Sequence, residues 1–539
     1  MKKKWMDLVF TIAFMLMITV PLLMLNTAPE VESIQENRML TSWPGIGFNR
    51  EINEWYGHYF EDRIGLRSQA VTAYTSLTYH IFGEFAEDMH MFGTDGYVFP
   101  ADEGYIEAYQ RLRTDEELIG NFTKYLKRTK VYLQQREIPF VFLAGLDKKT
   151  VYPEYMPSSI HVQEDNESIM ESLAAHLERA DVPYVIPVEE YMREKQTKQL
   201  YNRMYDCAHW NDLGRMTAIR MADEKLAEQG LDMPVIDETD YDLTYEQRDR
   251  LEFVEVPIDE QVPVYHLKKQ PTLWDDYDLT ANAWLVEGTS IQYYSNSDAL
   301  KKKRILIFHD SFLQDAKEFY CARYSQVFFV SRQNYECVQY YVNLIRPDAV
   351  IFENAERAFV DDLYAYTNLA NVWYEPPYES FADLTEAEAA FQITLTAAEN
   401  AEENDGSSTD EIRVKVDDAR SYFVLQGEVL LPQELHGDLR GLHLYAKYKK
   451  RYYEINYPAL TDGQPGVFAK LSEGQKNAAP EALAQQGDAD QSGRMQDRLA
   501  FYMNMRIENK KEIKGGVQMI LVDESTHTEY VVGTLELRQ

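Results

Sequence analysis

A chain of 539 residues that is 45% hydrophobic and 13% aromatic exceeds what one core usually holds, and predicts two or three domains. A formal net charge of −35 excludes binding to nucleic acid through a basic face, because little positive surface is left to displace counterions from phosphates. Three cysteines, Cys207, Cys321 and Cys337, exclude a disulfide scaffold and match no zinc spacing. Either Cys321 and Cys337 pair outside the cell or all three are separate thiols.

At the N-terminus, Lys2-Lys3-Lys4 leads into Leu8–Leu25, eighteen residues without a charge. At ~1.5 Å per residue this run reaches about 27 Å, enough to span a bilayer core. It ends Leu25-Asn26-Thr27-Ala28-Pro29, with a proline where signal cleavage is disfavoured, so residues 1–28 read as an uncleaved signal-anchor. The lysines hold the N-terminus in the cytoplasm, which predicts a single-pass protein of the cell membrane with an extracytoplasmic domain.

Residues 27–110 form a helical lead-in, with apolar spacing around Ile52–Phe60 and Ala70–Phe82. An amphipathic helix over Thr114–Gln135 precedes the continuous apolar run Ile138–Ala144, the pattern of a buried parallel strand. A helix follows near Glu167–Ala180, then a strand over Pro183–Pro187 and a helix near Asn211–Gln229. Strands over Arg304–Phe308, Gln326–Val330 and Asp348–Phe352, with a helix near Tyr335–Ile345, complete the alternation. The expectation is an α/β domain over 29–384 with a doubly wound parallel sheet, interrupted by an insertion of loops and small strands at 231–300. A polar linker is expected at 385–411, and a β-rich, sandwich-like domain at 412–539. The predicted strands of that domain lie at Ile412–Val416, Tyr422–Val429, Leu442–Tyr448, Val517–Val522 and Tyr530–Leu537, around a mobile or disordered loop near Asp462–Gln496.

The strongest chemical signal is Ile305-Leu306-Ile307-Phe308-His309-Asp310-Ser311, an apolar strand stopping at a polar turn. Open α/β sheets place ligands at this carboxyl edge, and a helix opened by Ser311 would offer free backbone N–H groups to an oxyanion. Serine needs an imidazole to take its proton, and the imidazole needs a carboxylate to hold its tautomer. Asp206-Cys207-Ala208-His209 supplies both from one loop, so Ser311, His209 and Asp206 are the candidate catalytic residues, with no metal and no cofactor implied.

Asp-x-x-His followed by a strand-terminal Asp-Ser resembles the SGNH hydrolase superfamily with the blocks in inverted order. The chain is thereby similar to the circularly permuted SGNH-like domain of the alginate O-acetyltransferase AlgX and AlgJ proteins and the DHHW proteins. Glu36-Asn37-Arg38, Tyr59 through Arg67, Gly93 through Phe99, Asp147 through Glu154, Arg346-Pro347-Asp348 and Glu353 through Arg357 fit the same resemblance, which covers about residues 36–360. It departs from the family in having one more residue between Asp206 and His209, and His309 where a glycine is common. The resemblance implies a flavodoxin-like three-layer sheet, with Ser311 as nucleophile, His209 as general base and Asp206 as its orienting acid. It also implies O-acetylation of an extracellular or cell-wall polysaccharide, with a polytopic membrane acyltransferase as acyl-donor partner. An esterase, or a non-catalytic polysaccharide-binding or assembly factor, is the alternative. Lys148, Glu353 and Arg357 are further candidates for substrate binding; Glu353 and Arg357 otherwise read as an ion pair. The C-terminal domain is a candidate carbohydrate-binding module.

Overall fold

The computed structural model describes most of residues 2–538; the longest stretches outside the described residues are 82–88, 279–290, 361–368, 400–410, 456–497 and 507–515. Most of the expected helix at 70–82 and the loop at 462–496 therefore lie outside them.

The first helix, Lys2–Leu23, carries Pro21 in its last turn and exposes Phe10, Met17 and Leu23. Among the described residues no helix is long and apolar enough to cross a membrane. A second helix, Arg50–Arg63, falls on the expected Ile52–Phe60 spacing. Just past its end the Gly65 N–H donates to the Pro21 carbonyl of the first helix at 2.9 Å, while the Arg63 side chain donates to the carbonyls of Thr41 and Ala28 and the Asn26 N–H to the Arg63 carbonyl.

The apolar runs become the centre of a seven-stranded sheet. Its order is Tyr184–Val185, Phe140–Gly145, Ala349–Ala355, Lys301–His309, Tyr324–Ser331, Ile291–Asn296 and Trp274–Asp278. The first five are parallel. Every residue of Phe140–Gly145 and Ala349–Ala355 is buried, as a strand covered on both faces requires. Helices begin where polar caps satisfy free backbone donors: Asp115 before Glu116–Gln134, Ser168 with Glu171 before Ile169–Arg179, and Asn211 before Asp212–Glu228. The helix expected from Tyr335 begins at Val338, after a 3-10 turn over Arg332–Cys337.

Two expectations are corrected. The 231–300 segment is only in part an insertion, because Ile291–Asn296 and Trp274–Asp278 pair antiparallel onto the sheet, while Tyr241–Arg250 and Pro257–Leu267 form a separate hairpin. The 385–411 linker holds strands at Thr385–Ala387 and Gln392–Glu399; Phe391, Ile393 and Leu395 supply the period-two pattern there. Of the two readings of the cysteines, the structure has the second, three free thiols.

The C-terminal strands form a six-stranded sheet and an antiparallel three-stranded one, Gln392–Glu399, Tyr422–Leu430 and Arg498–Arg506. The four strands of the larger sheet that include its centre, Leu442–Tyr448, Val517–Asp523 and Thr528–Arg538 with Glu411–Lys415, lie close to the sequence expectation. Leu425, Val429 and Phe501 of one sheet and Leu444, Leu521 and Leu535 of the other share a buried core.

Candidate active site

The loop between Leu200 and Asn211 is pinched shut by an antiparallel bridge between Tyr201 and Trp210 and by the Asn211 N–H on the Leu200 carbonyl, 2.9 Å. Inside this loop the spacing Asp-x-x-His forms a turn closed by its own carboxylate. Asp206 Oδ1 accepts the backbone N–H of Ala208 (2.8 Å) and of His209 (2.9 Å), which leaves Oδ2 for His209 Nδ1 at 2.9 Å. The extra residue between acid and base thus completes the turn. On the other side of the ring, His209 Nε2 lies 2.8 Å from Ser311 Oγ. With Nδ1–H donating to Asp206, Nε2 is free to accept the serine proton.

Burial alone would raise the Asp206 pKa. The charge of His209, hydrogen bonds from its ring and backbone, and the charge of Lys148 outweigh burial and hold the carboxyl well below the usual carboxylate range. Asp206 is therefore ionised wherever His209 works.

Ser311 stands just past the central strand Lys301–His309, with neighbouring strands parallel on either side, and is exposed. It does not open a helix, because the next helix is the short Lys317–Cys321. The turn is held by side chains instead. Asp310 Oδ1 accepts the Phe312 N–H (2.9 Å), and its Oδ2 takes the Ala355 N–H (2.7 Å) and the Arg332 guanidinium. The Asp310 N–H donates to Glu353 Oε2 at 2.9 Å, and Trp210 Nε1 donates to the Phe312 carbonyl at 2.8 Å. The His309 backbone is not left-handed, so the position does not call for glycine. Gly145 does have a packing reason: a Cβ there would stand 2.7 Å from the Phe312 ring and 2.9 Å from Glu353 Oε1.

The three expected substrate-binding residues are placed differently. Lys148 is fully buried and donates to the carbonyls of Val98 (3.0 Å) and Asp206, so it supports the acid's loop. Burial lowers its pKa to about 8, against the charges of Cys207, Asp206 and Glu260. Glu353 is also fully buried, beneath the serine turn; burial and the adjacent Asp310 charge raise its pKa well above the usual range. Lys148 opens the short helix Lys148–Val151 and Glu353 lies on the central strand Ala349–Ala355, and both side chains are fully buried. Arg357 pairs with Asp147 at 2.9 Å, not with Glu353; its guanidinium sits 5.3 Å from the Phe312 ring centre and its side chain is partly exposed.

Sequence reasoning missed Glu260. Its carboxylate accepts the backbone N–H groups of Arg203, Met204 (2.8 Å) and Tyr205 (2.7 Å). The residue lies on the hairpin strand Pro257–Leu267, far from Asp206 in sequence, and carries no local signal.

No family model and no curated protein matches the chain. Among solved structures it is similar to Bacillus cereus PatB1 with a sulfonyl adduct, at 15% identity over 51% of this chain and 98% of that one, with a TM-score of 0.40. It is similar to the O-acetyltransferase domain of Pseudomonas putida AlgJ at 13% identity, 52% and 98% coverage and a TM-score of 0.36. A DHHW family protein from Eubacterium siraeum is similar at 13% identity, 54% and 97% coverage and a TM-score of 0.36, so the neighbours include the proteins that the sequence motifs resemble.

Proposed function

We propose that the chain is a serine-dependent O-acyltransferase that moves acetyl groups onto an extracellular or cell-wall polysaccharide through an acyl-Ser311 intermediate. The observation that carries the proposal is the unbroken hydrogen-bond chain from Asp206 through His209 to an exposed Ser311. His209 Nε2 takes the serine proton as Oγ attacks the donor's acyl carbonyl, and returns it to the leaving group as the tetrahedral intermediate collapses. A sugar hydroxyl then gives its proton to His209 and attacks the ester carbonyl, and Ser311 leaves with that proton. Asp206 holds the ring tautomer and faces the imidazolium formed in each half-reaction. The Phe312 amide is committed to Asp310, whereas the Ser311 amide has no partner among the described residues and is the backbone donor for the oxyanion.

The exposed apolar side chains of Lys2–Leu23 support attachment to a bilayer, with the catalytic unit outside the cell, beside a polytopic membrane acyltransferase that delivers acetyl groups. The C-terminal unit, two sheets sharing one core, is a sandwich-like module for holding glycan. An esterase is the second reading, favoured by the exposure of Ser311, which lets water reach the acyl-enzyme. Incubating the full chain in detergent with p-nitrophenyl acetate and an oligosaccharide separates the readings. Acetylated oligosaccharide indicates transfer and acetate alone indicates hydrolysis, while equal nitrophenol release by Ser311→Ala removes both.

A further inference from the structure

The hairpin Tyr241–Arg250/Pro257–Leu267 touches both halves of the site. Toward the base, Glu260 receives the backbone N–H groups of Arg203, Met204 and Tyr205, and the Tyr265 N–H donates to Asp212 at 2.8 Å, at the start of the helix that follows His209. Toward the nucleophile, the Leu267 N–H donates to Glu318 (3.2 Å) and the Tyr241 hydroxyl to the Glu318 carbonyl (3.2 Å), while the Tyr241 ring stacks on Phe319 at 5.7 Å. The buried Lys148 ammonium collects the carbonyls of Val98, Arg203 and Asp206. The stretch 203–206 is thus held by an anion at the N–H groups of Arg203, Met204 and Tyr205 and by a cation at the carbonyls of Arg203 and Asp206. Each buried charge is solvated by the loop that it fixes.

We infer that Glu260 is a positioning residue. The hairpin that carries it is a brace setting the distance between His209 and Ser311, and Glu260 acts through Asp206. The inference rests on the serine-dependent reading above. A carboxylate displaced by a fraction of an ångström leaves acetyl-donor binding intact and lowers turnover.

The test is a double-mutant cycle on the full chain in detergent, with p-nitrophenyl acetate as probe. Glu260→Gln is expected to lower kcat about tenfold or more, with KM within about threefold. In an Asp206→Asn background the same substitution is expected to cost less than about twofold, because the group it positions is already lost. Equal losses in both backgrounds, or an unchanged kcat for Glu260→Gln, overturn the inference. Should Glu260→Gln lose the native circular dichroism spectrum, Glu260→Asp carries the same cycle, keeping the charge but retracting it by one methylene. Failure of the serine-dependent reading is distinguishable, because Ser311→Ala would then retain wild-type turnover.

Discussion

Replacing Lys148 with methionine separates a buried cation from the backbone that it serves. The side chain is fully buried and its pKa falls to about 8, from an ordinary value of 10.5, chiefly through burial. In the unfolded chain the amine keeps the ordinary value, so between pH 8 and 10.5 unfolding takes up a proton. Stability from this group therefore rises with pH across that window. The ammonium costs the fold about 3 kcal/mol at pH 7, and the cost is gone above the unfolded pKa. Lys148→Met removes the cost but strands the carbonyls of Val98, Arg203 and Asp206, each at about 1–3 kcal/mol. The stranded carbonyls match or outweigh the relieved cost at pH 7, and the variant is expected to be less stable than wild type there by up to about 6 kcal/mol. The assay is guanidinium-induced unfolding followed by tryptophan fluorescence at several pH values. The wild-type-minus-variant difference is expected to climb by about 3 kcal/mol between pH 7 and 10.5, since other titrating groups cancel in the subtraction. A flat difference would refute the reasoning, as it would mean that the amine is solvated. Turnover of p-nitrophenyl acetate is expected to fall about tenfold, because the Asp206 carbonyl loses its donor.

The acids beneath Ser311 predict opposite responses to amide substitution. Glu353→Gln is expected to change stability at pH 7 by less than about 1 kcal/mol, because burial and the Asp310 charge already disfavour the carboxylate and the amide keeps its shape; Asp310→Asn strands the buried Arg332 cation and is expected to cost about 3–5 kcal/mol, both read by chemical denaturation. Gly145→Ala pushes a Cβ against the Phe312 ring, and is expected to cost about 1–3 kcal/mol and to lower kcat more than it raises KM in steady-state assays. Trp210→Phe removes the donor to the Phe312 carbonyl, with an expected loss of about 1 kcal/mol and a severalfold drop in kcat.

The parts legible in the sequence are those with local periodicity. Phe140–Ala144 and Ile305–Phe308 announce themselves as buried parallel strands because every position is apolar, and the Asp-x-x-His turn is legible because both partners lie in one loop. Ile291–Asn296 reads Ile-Gln-Tyr-Tyr-Ser-Asn, neither a continuous apolar run nor a clean alternation, so nothing local separates a sheet-edge strand from an inserted one; only its register against Tyr324–Ser331 decides. Ser311 was expected to open a helix because polar turns after strands commonly do. Here Asp310, Arg332 and Trp210 replace the helix with tertiary hydrogen bonds from three separate segments. Lys148 and Glu353 look like surface charges after a strand, and their burial depends on what packs over them, which no single segment records.

The central claim is that His209 activates Ser311 to accept an acyl group. Rapid quenching of the full chain with p-nitrophenyl acetate, followed by peptide mass spectrometry, tests it directly. One acetyl group is expected on Ser311, formed in the burst phase and lost in His209→Ala. Nitrophenol release with Ser311 unmodified, or acetylation that persists in His209→Ala at the wild-type rate, would contradict it.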